Sequence, residues 1–363
     1  MTLLTISPLR KYLPALFAAA PCARHKLTIG IFIGGLVVLL LLAPSLPVSA
    51  ATYDRPDNPG DSLISDELAD ELYTTAKHED TLLDIARNFD MGQIEILLLN
   101  PDVDRWLPGQ GTRVRLSNLR LLPDTPRQGL TLNLPEYRMY YFPVPQAGEK
   151  PVVKTFPMSI GRVDWQTPLG QTKVIRKVRN PTWTPPASIR AEHAAKGDIL
   201  PAVWPAGPDN PLGLFAMYLG TPGYLIHSTN KPFGVGMRVS HGCIRMYPED
   251  IEKLFPEIKA GTPVYIVNQP IKVGWHQDTL YIEIHPTLAE TESEDENGTV
   301  PELTEERYMA SLELALKLIE RANSQQMPVI DGEALKKALQ QHNGIPTAIY
   351  KRPATSQEAP ESP

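Results

Sequence analysis

At 363 residues, with 42% hydrophobic and 21% charged residues, the chain is too apolar for a disordered protein and long enough for two or three domains. Its 37 prolines, about twice the average share, exclude a long helical bundle and favour short strands, turns and extended loops. A formal net charge of −6 excludes the usual basic nucleic-acid binder. At the N-terminus, Arg10, Lys11, Arg24, His25 and Lys26 precede an apolar run from Leu27 to Ala43, and Val48-Ser49-Ala50 follows. That order predicts a secretory signal peptide over 1–50, cut after Ala50. The alternative is an uncleaved anchor, which would be the chain's only membrane contact, although the apolar run is a little short to span. Loss of 1–50 removes four Lys/Arg and no Asp/Glu, taking the formal charge from −6 to −10. It also removes Cys22 and leaves Cys243 as the only cysteine, so no internal disulfide forms. A single thiol in an exported, oxidising setting points to chemistry.

Residues 51–70 are polar, with Asp57-Asn58-Pro59-Gly60, and predict a linker. From 71 to 117 the chain predicts strand, helix, helix, strand. Leu82, Ile85, Ala86 and Phe89 recur at helical spacing behind a capping Asp80 or Thr81. Ile94–Leu99 is a second apolar run, and Arg113–Leu116 alternates as a strand. With Asp80-Thr81-Leu82, Asn100-Pro101 and Leu107-Pro108-Gly109, this unit resembles a LysM module, which implies binding of N-acetylglucosamine-containing glycan; the alternative is an α/β spacer that binds nothing. From 129 to 272 the pattern is of strands: 130–134, 137–142, 152–160, 172–178, 214–219 and 264–267, broken by Gly161, Pro168-Leu169-Gly170 and Pro222-Gly223. One helix follows the cysteine, opened by Pro248, Glu249 and Asp250. Tyr281–Ile284 predicts one more strand. Residues 290–306 predict an acidic linker, 307–342 a helical hairpin packed on the body, and 350–363 a disordered tail. The fold class is mainly β, with a small α/β unit before the main domain and helices after it.

The chemistry gathers at Ser240-His241-Gly242-Cys243-Ile244-Arg245. A thiolate is the nucleophile, and a cysteine of ordinary pKa needs a base nearby. His227 ends the apolar stretch Tyr224-Leu225-Ile226, a predicted strand that holds a ring firmly; a turn-rich loop separates it from Cys243. His241 is two positions from Cys243 and shares its face in an extended chain. Gly242 permits a backbone turn, so that N–H groups at Gly242 and Cys243 face a developing oxyanion. Arg245 suits a substrate carboxylate. A zinc site built from the two histidines and the cysteine lacks a fourth local ligand, so neither metal nor cofactor is expected.

Ser240 to Arg245, with His227 at this distance, resembles the signature of the YkuD-type L,D-transpeptidase catalytic domain. Thr167-Pro168-Leu169-Gly170, Pro181–Pro186 and Pro205–Gly213 resemble its periplasmic Gram-negative branch. The resemblance implies a β-sandwich-like domain and a periplasmic enzyme acting on peptidoglycan. It implies Cys243 as nucleophile, His227 as base oriented by the Ser228 carbonyl, and His241, Gly242 and Cys243 around the oxyanion, with Arg245 and Ser240 at the substrate. It further implies a thioester formed from a tetrapeptide stem with release of D-Ala. The acyl group then passes to an amine of another stem or of an outer-membrane lipoprotein. A hydrolase on the same scaffold is the alternative within cysteine chemistry, and a non-catalytic wall-binding scaffold is the alternative of another class.

Overall fold

The computed structural model describes residues 51–58, 60–65, 72–291, 303–323 and 328–353. The expected signal segment 1–50 lies outside them, as do most of the acidic linker and the last ten residues. Among the described residues no helix is long and apolar enough to cross a membrane.

The expected linker begins with structure. β1 (Thr52–Asp54) adds antiparallel to the strand that begins at Val152, and β2 (Leu63–Ile64) pairs with Arg120 and Leu121 further on. Tyr53, Leu63 and Ile64 are buried, which a polar average over 51–70 conceals. Next comes the small unit: β3 (Leu72–Thr75), α1 (Leu82–Asn88), α2 (Gln93–Leu99), β4 (Arg113–Leu116) and then β5 (Arg120–Leu121). β3 and β4 pair antiparallel around the two helices, the predicted order. Thr81 caps α1: its Oγ1 accepts from the Asp84 N–H at 3.1 Å, and Asp84 accepts from the Thr81 N–H. Asn100 ends α2 by donating to the Ile96 and Arg115 carbonyls, both at 2.9 Å, and accepting from the Arg115 N–H. One side chain thereby fastens the helix end to β4. Leu82, Ile85, Ala86, Ile96 and Val114 fill the unit's own core, while Ile94 turns outward into the core of the main domain.

That domain holds β6 (Gly129–Asn133), β7 (Arg138–Phe142), β8 (Val152–Gly161), β9 (Gly170–Arg179), α3 (Ala187–Ala195), β10 (Phe215–Leu219), β11 (Leu225–His227), β12 (Arg238–Ser240), β13 (Ile244–Met246), α4 (Pro248–Glu257) and β14 (Pro263–Val267). Pairing runs β8-β13-β11-β10-β9-β14-β6-β7, and β7 returns to β8. The expected sandwich of two facing sheets is therefore replaced by a closed, barrel-like sheet. The length of β8 permits closure: Lys154 to Pro157 pair with β7, and Met158 and Ser159 with β13. Leu130, Leu132, Phe156, Met158, Ile226, Ile244 and Met246 point inward, and Ile251, Leu254 and Phe255 of α4 complete the core. Such side chains contribute roughly 1.5–3 kcal/mol each when fully buried. α3 is the helix that the strand-rich reading of 129–272 did not contain.

After the barrel come β15 (Ile271–His276), β16 (Thr279–Ile284), α5 (Glu305–Ala322), α6 (Gly332–Gln341) and β17 (Thr347–Lys351). The helices form as expected, but their apolar faces meet a three-stranded sheet, β15-β16-β17, through Trp275, Leu280, Ile282, Ala315, Ile319, Leu335 and Leu339. Tyr350 and Lys351, expected in a disordered tail, belong to β17. Glu305 and Glu306, expected in the acidic linker, open α5, where carboxylates suit the helix dipole. Glu290, from the same stretch, is buried in a turn and takes the Thr287 N–H at 2.5 Å.

Candidate active site

β11 and β13 run parallel, with Ile226 opposite Ile244 and His227 opposite Arg245. Both isoleucines enter the barrel core, so His227 and Arg245 lie on the other face. Cys243, one residue before Ile244, falls on that same face, and the Leu225 N–H donates towards its sulfur. The half-buried Sγ lies 3.7 Å from the Gly223 carbonyl oxygen, placed as a thiol donor. His227 is buried, and its Nδ1–H donates to the Ser228 carbonyl at 2.6 Å, which leaves Nε2 with the lone pair. Ser228 is itself buried behind the ring, and its N–H is held by the Phe215 carbonyl at 2.9 Å.

The electrostatics favour an uncharged pair. Burial pushes His227 down to about 3, and the Arg245 charge acts in the same sense; the Ser228 and Leu212 carbonyls offset part of this. Burial pushes the Cys243 thiol up, against the opposing pull of the Leu225 N–H and Arg245. The resting site therefore holds a neutral imidazole and a neutral thiol. Arg245 is half-buried, and among the described residues its Nε has no hydrogen-bond partner. A half-buried guanidinium with an unpartnered Nε beside a thiol is a place for an anion.

The turn that carries Cys243 is braced from within. Gly242 has φ +94°, and a Cβ there would lie 2.7 Å from Cε1 of Tyr224. Only glycine meets both conditions. Ser240, expected at the substrate, is buried instead: its Oγ donates to the Cys243 carbonyl at 2.5 Å and accepts from the Gly242 N–H at 3.1 Å. Ser240 thus shapes the turn, and the Gly242 N–H expected at the oxyanion is occupied. Thr167, from the Thr167–Gly170 turn, donates to the Gly242 carbonyl at 2.9 Å and accepts from the Gly161 N–H at 3.0 Å.

His241 faces a different set of partners. Its Nε2 lies 3.0 Å from a Glu192 carboxylate oxygen and 3.2 Å from Arg162, and Trp165 meets its ring edge-on at 5.2 Å. Arg162 also pairs with Glu192, whose carboxyl it holds far below the usual range with help from Lys196. Burial pushes His241 down as well. Glu192 belongs to α3, so this cluster ties that helix to the turn that carries Cys243. Sequence reasoning missed Glu192, Arg162 and the bracing role of Thr167. The signal for α3 was present: Pro185-Pro186 precede a run of good helix formers with no glycine or proline, Ala187 to Ala195.

One sheet face of this mainly β fold therefore carries a half-buried cysteine, a buried histidine fixed by its neighbour's carbonyl and an arginine whose Nε has no hydrogen-bond partner among the described residues. Residues 127–266 match the YkuD family model, described as the L,D-transpeptidase catalytic domain. The chain is 37% identical to "Probable L,D-transpeptidase YbiS" of Escherichia coli K12 over 83% of its length and 92% of that protein's. It is 40% identical to "Probable L,D-transpeptidase YcfS" over 70% of this chain and 78% of that one. With "Probable L,D-transpeptidase ErfK/SrfK", also of Escherichia coli K12, it shares 36% identity over 85% of this chain and 94% of that one. The chain belongs to the YkuD-type L,D-transpeptidase family.

Proposed function

We propose that the protein is a periplasmic peptidoglycan L,D-transpeptidase that works through a thioester on Cys243. The observation that carries this is the placement of Cys243, His227 and Arg245 on one face of the β11–β13 pair, with Nδ1 of His227 committed to Ser228. In the first half-reaction Nε2 of His227 takes the thiol proton as Sγ attacks the carbonyl at the L-centre of diaminopimelate in a tetrapeptide stem. The resulting oxyanion is assigned to the two other N–H groups of the turn, at His241 and Cys243. Collapse breaks the peptide bond, His227 returns its proton to the leaving nitrogen, and D-Ala departs. In the second half-reaction an amine attacks the thioester, His227 takes a proton from it, and the thiol is restored. No external energy source is needed, because the thioester conserves the energy of the bond that was broken. Arg245 holds a stem carboxylate.

The acceptor is an amine of a second stem or of a lipoprotein. The βααβ unit, with Trp106 and Leu107 exposed on it, is assigned to glycan as a LysM-like module. Holding the domain on its polymer raises the effective concentration of stems. The test is incubation with a carbapenem and with tetrapeptide-bearing muropeptides. A single covalent mass increase on Cys243, release of D-Ala and formation of dimers are expected. Tripeptides without dimers would establish a hydrolase in its place, and an unmodified Cys243 would establish a scaffold.

A further inference from the structure

The first residue past the expected signal cut is built into the fold. The Ala51 carbonyl accepts from the Thr155 N–H at 3.0 Å, and Thr52 to Asp54 continue as β1 against β8. The Ala51 nitrogen lies 3.2 Å from Oδ2 of Asp90. Asp90 is 94% buried between the βααβ unit and the barrel, and among the described residues its Oδ1 has no hydrogen-bond partner. A backbone amide in that place offers one N–H to a carboxylate with room for more.

The surrounding charges leave the same gap. Arg138 of β7 lies 3.3 Å from Oδ2 of Asp90, but it also donates to the Asp90 carbonyl, to Glu95 at 2.8 Å and to Thr155 at 2.9 Å. Arg120 is engaged with Glu95. Asp250 of α4 is buried nearby; burial pushes both carboxyls up, with the charge of Glu95 adding to it at Asp90 and that of Asp90 adding to it at Asp250. Arg87 is committed to Glu249 at 2.6 Å, and Lys253 is exposed. Two buried guanidiniums, Arg138 and Arg120, therefore face three carboxyl groups, of which Asp90 and Asp250 are buried and Glu95 is half-buried.

We propose that Asp90 is the receptor for the α-ammonium released when the chain is cut between Ala50 and Ala51. The cut supplies a positive charge and extra N–H donors at a position β1 already holds, and so clamps the βααβ unit to the catalytic barrel. It hydrolyses one peptide bond: water adds across it, the carboxylate leaves with residues 1–50, and the amine, protonated at neutral pH, stays with Ala51. Hydrolysis precedes docking, because Ala51 is packed against the barrel once folded. The proposal rests on the signal reading of 1–50 and is independent of the catalytic assignment.

The full chain, exported by its own leader and purified, tests this by intact mass and thermal melting. The expected mass is that of a chain starting at Ala51; any other start overturns the proposal. A variant with two glycines inserted after Ala50 moves the amine by about 7 Å. It is expected to melt about 2–4 °C lower, and this difference is expected to vanish when both chains carry Asp90→Asn. Equal melting of the two parent chains, or an equal difference in the Asp90→Asn pair, overturns it. Should Asp90→Asn fail to fold, acylation of the Ala51 amine by a succinimidyl ester decides. The native terminus is expected to react at least ~10-fold more slowly in the folded chain than in urea, and the displaced one at equal rates. An unprotected native terminus overturns the proposal.

Discussion

His227 and Cys243 rest uncharged on the face they share, and this fixes how the site responds to pH. With His227 at about 3, against an ordinary 6.5, its lone pair is available throughout the neutral range. With the thiol raised above its ordinary value, the proton to be moved is present over the same range. Acylation by a carbapenem is expected to be level from about pH 5 to 8, and an acidic limb near 6.5 would show that the imidazole is not held neutral. The linkage has a definite sign. The unfolded chain takes up a proton at His227 below about 6.5 while the folded one does so only near 3, so its contribution to stability is present above 6.5 and declines as pH falls through that window. Cys243→Ala is expected to abolish D-Ala release with the melting temperature intact. His227→Ala should slow turnover by about 10²–10⁴-fold. Gly242→Ala should cost about 10²-fold in rate, measured against circular dichroism to confirm folding, because its methyl group meets Tyr224 and φ is +94°. The juxtaposition of Cys243 and His227 was legible because one thiol and one strand-end imidazole stand out in the sequence. The roles of Ser240 and the Gly242 N–H were not, since they depend on which way a positive-φ turn points its short bonds.

At the scale of the element, α3 joins the site through one carboxylate. Glu192 touches both His241 and Arg162, so Glu192→Gln is expected to weaken the attachment of the helix to the turn. Hydrogen exchange of the amides from Ala187 to Ala195 should become several-fold faster, while those of β8 stay as they are. Helices α1, α2, α4, α5 and α6 could be read from apolar periodicity and from start signals such as the Thr81 cap and Pro248 in the first turn. Strands β2, β5, β12 and β13 could not, because two or three residues are too few to establish a period. β17 was missed for another reason: it has meaning only beside β16, which lies more than sixty positions earlier in the chain.

Across the whole molecule, buried charge fastens the layers together. Lys272 of β15 reaches Glu136 beside β7, Glu283 of β16 at 2.7 Å and the Leu121 carbonyl of β5, while His285 lies 2.6 Å from Glu283. Replacing it, as in Lys272→Met, leaves two enclosed carboxylates without their cation and should destabilise by about 3–5 kcal/mol in urea unfolding, with activity per folded molecule unchanged. No local sequence pattern announces such a junction, since its members come from three separate regions of the chain. The closed sheet has a consequence of its own. Both legs of the turn that carries Cys243 are laced to the end of β8: Arg238 and Ser240 on one side of the turn register with Ile160 and Gly161, and Arg245 and Met246 on the other with Ser159 and Met158. An incompletely wound chain therefore has nowhere to bring the side chains of Cys243, His227 and Arg245 onto one face, and its sulfur stays without those neighbours until the last strands close.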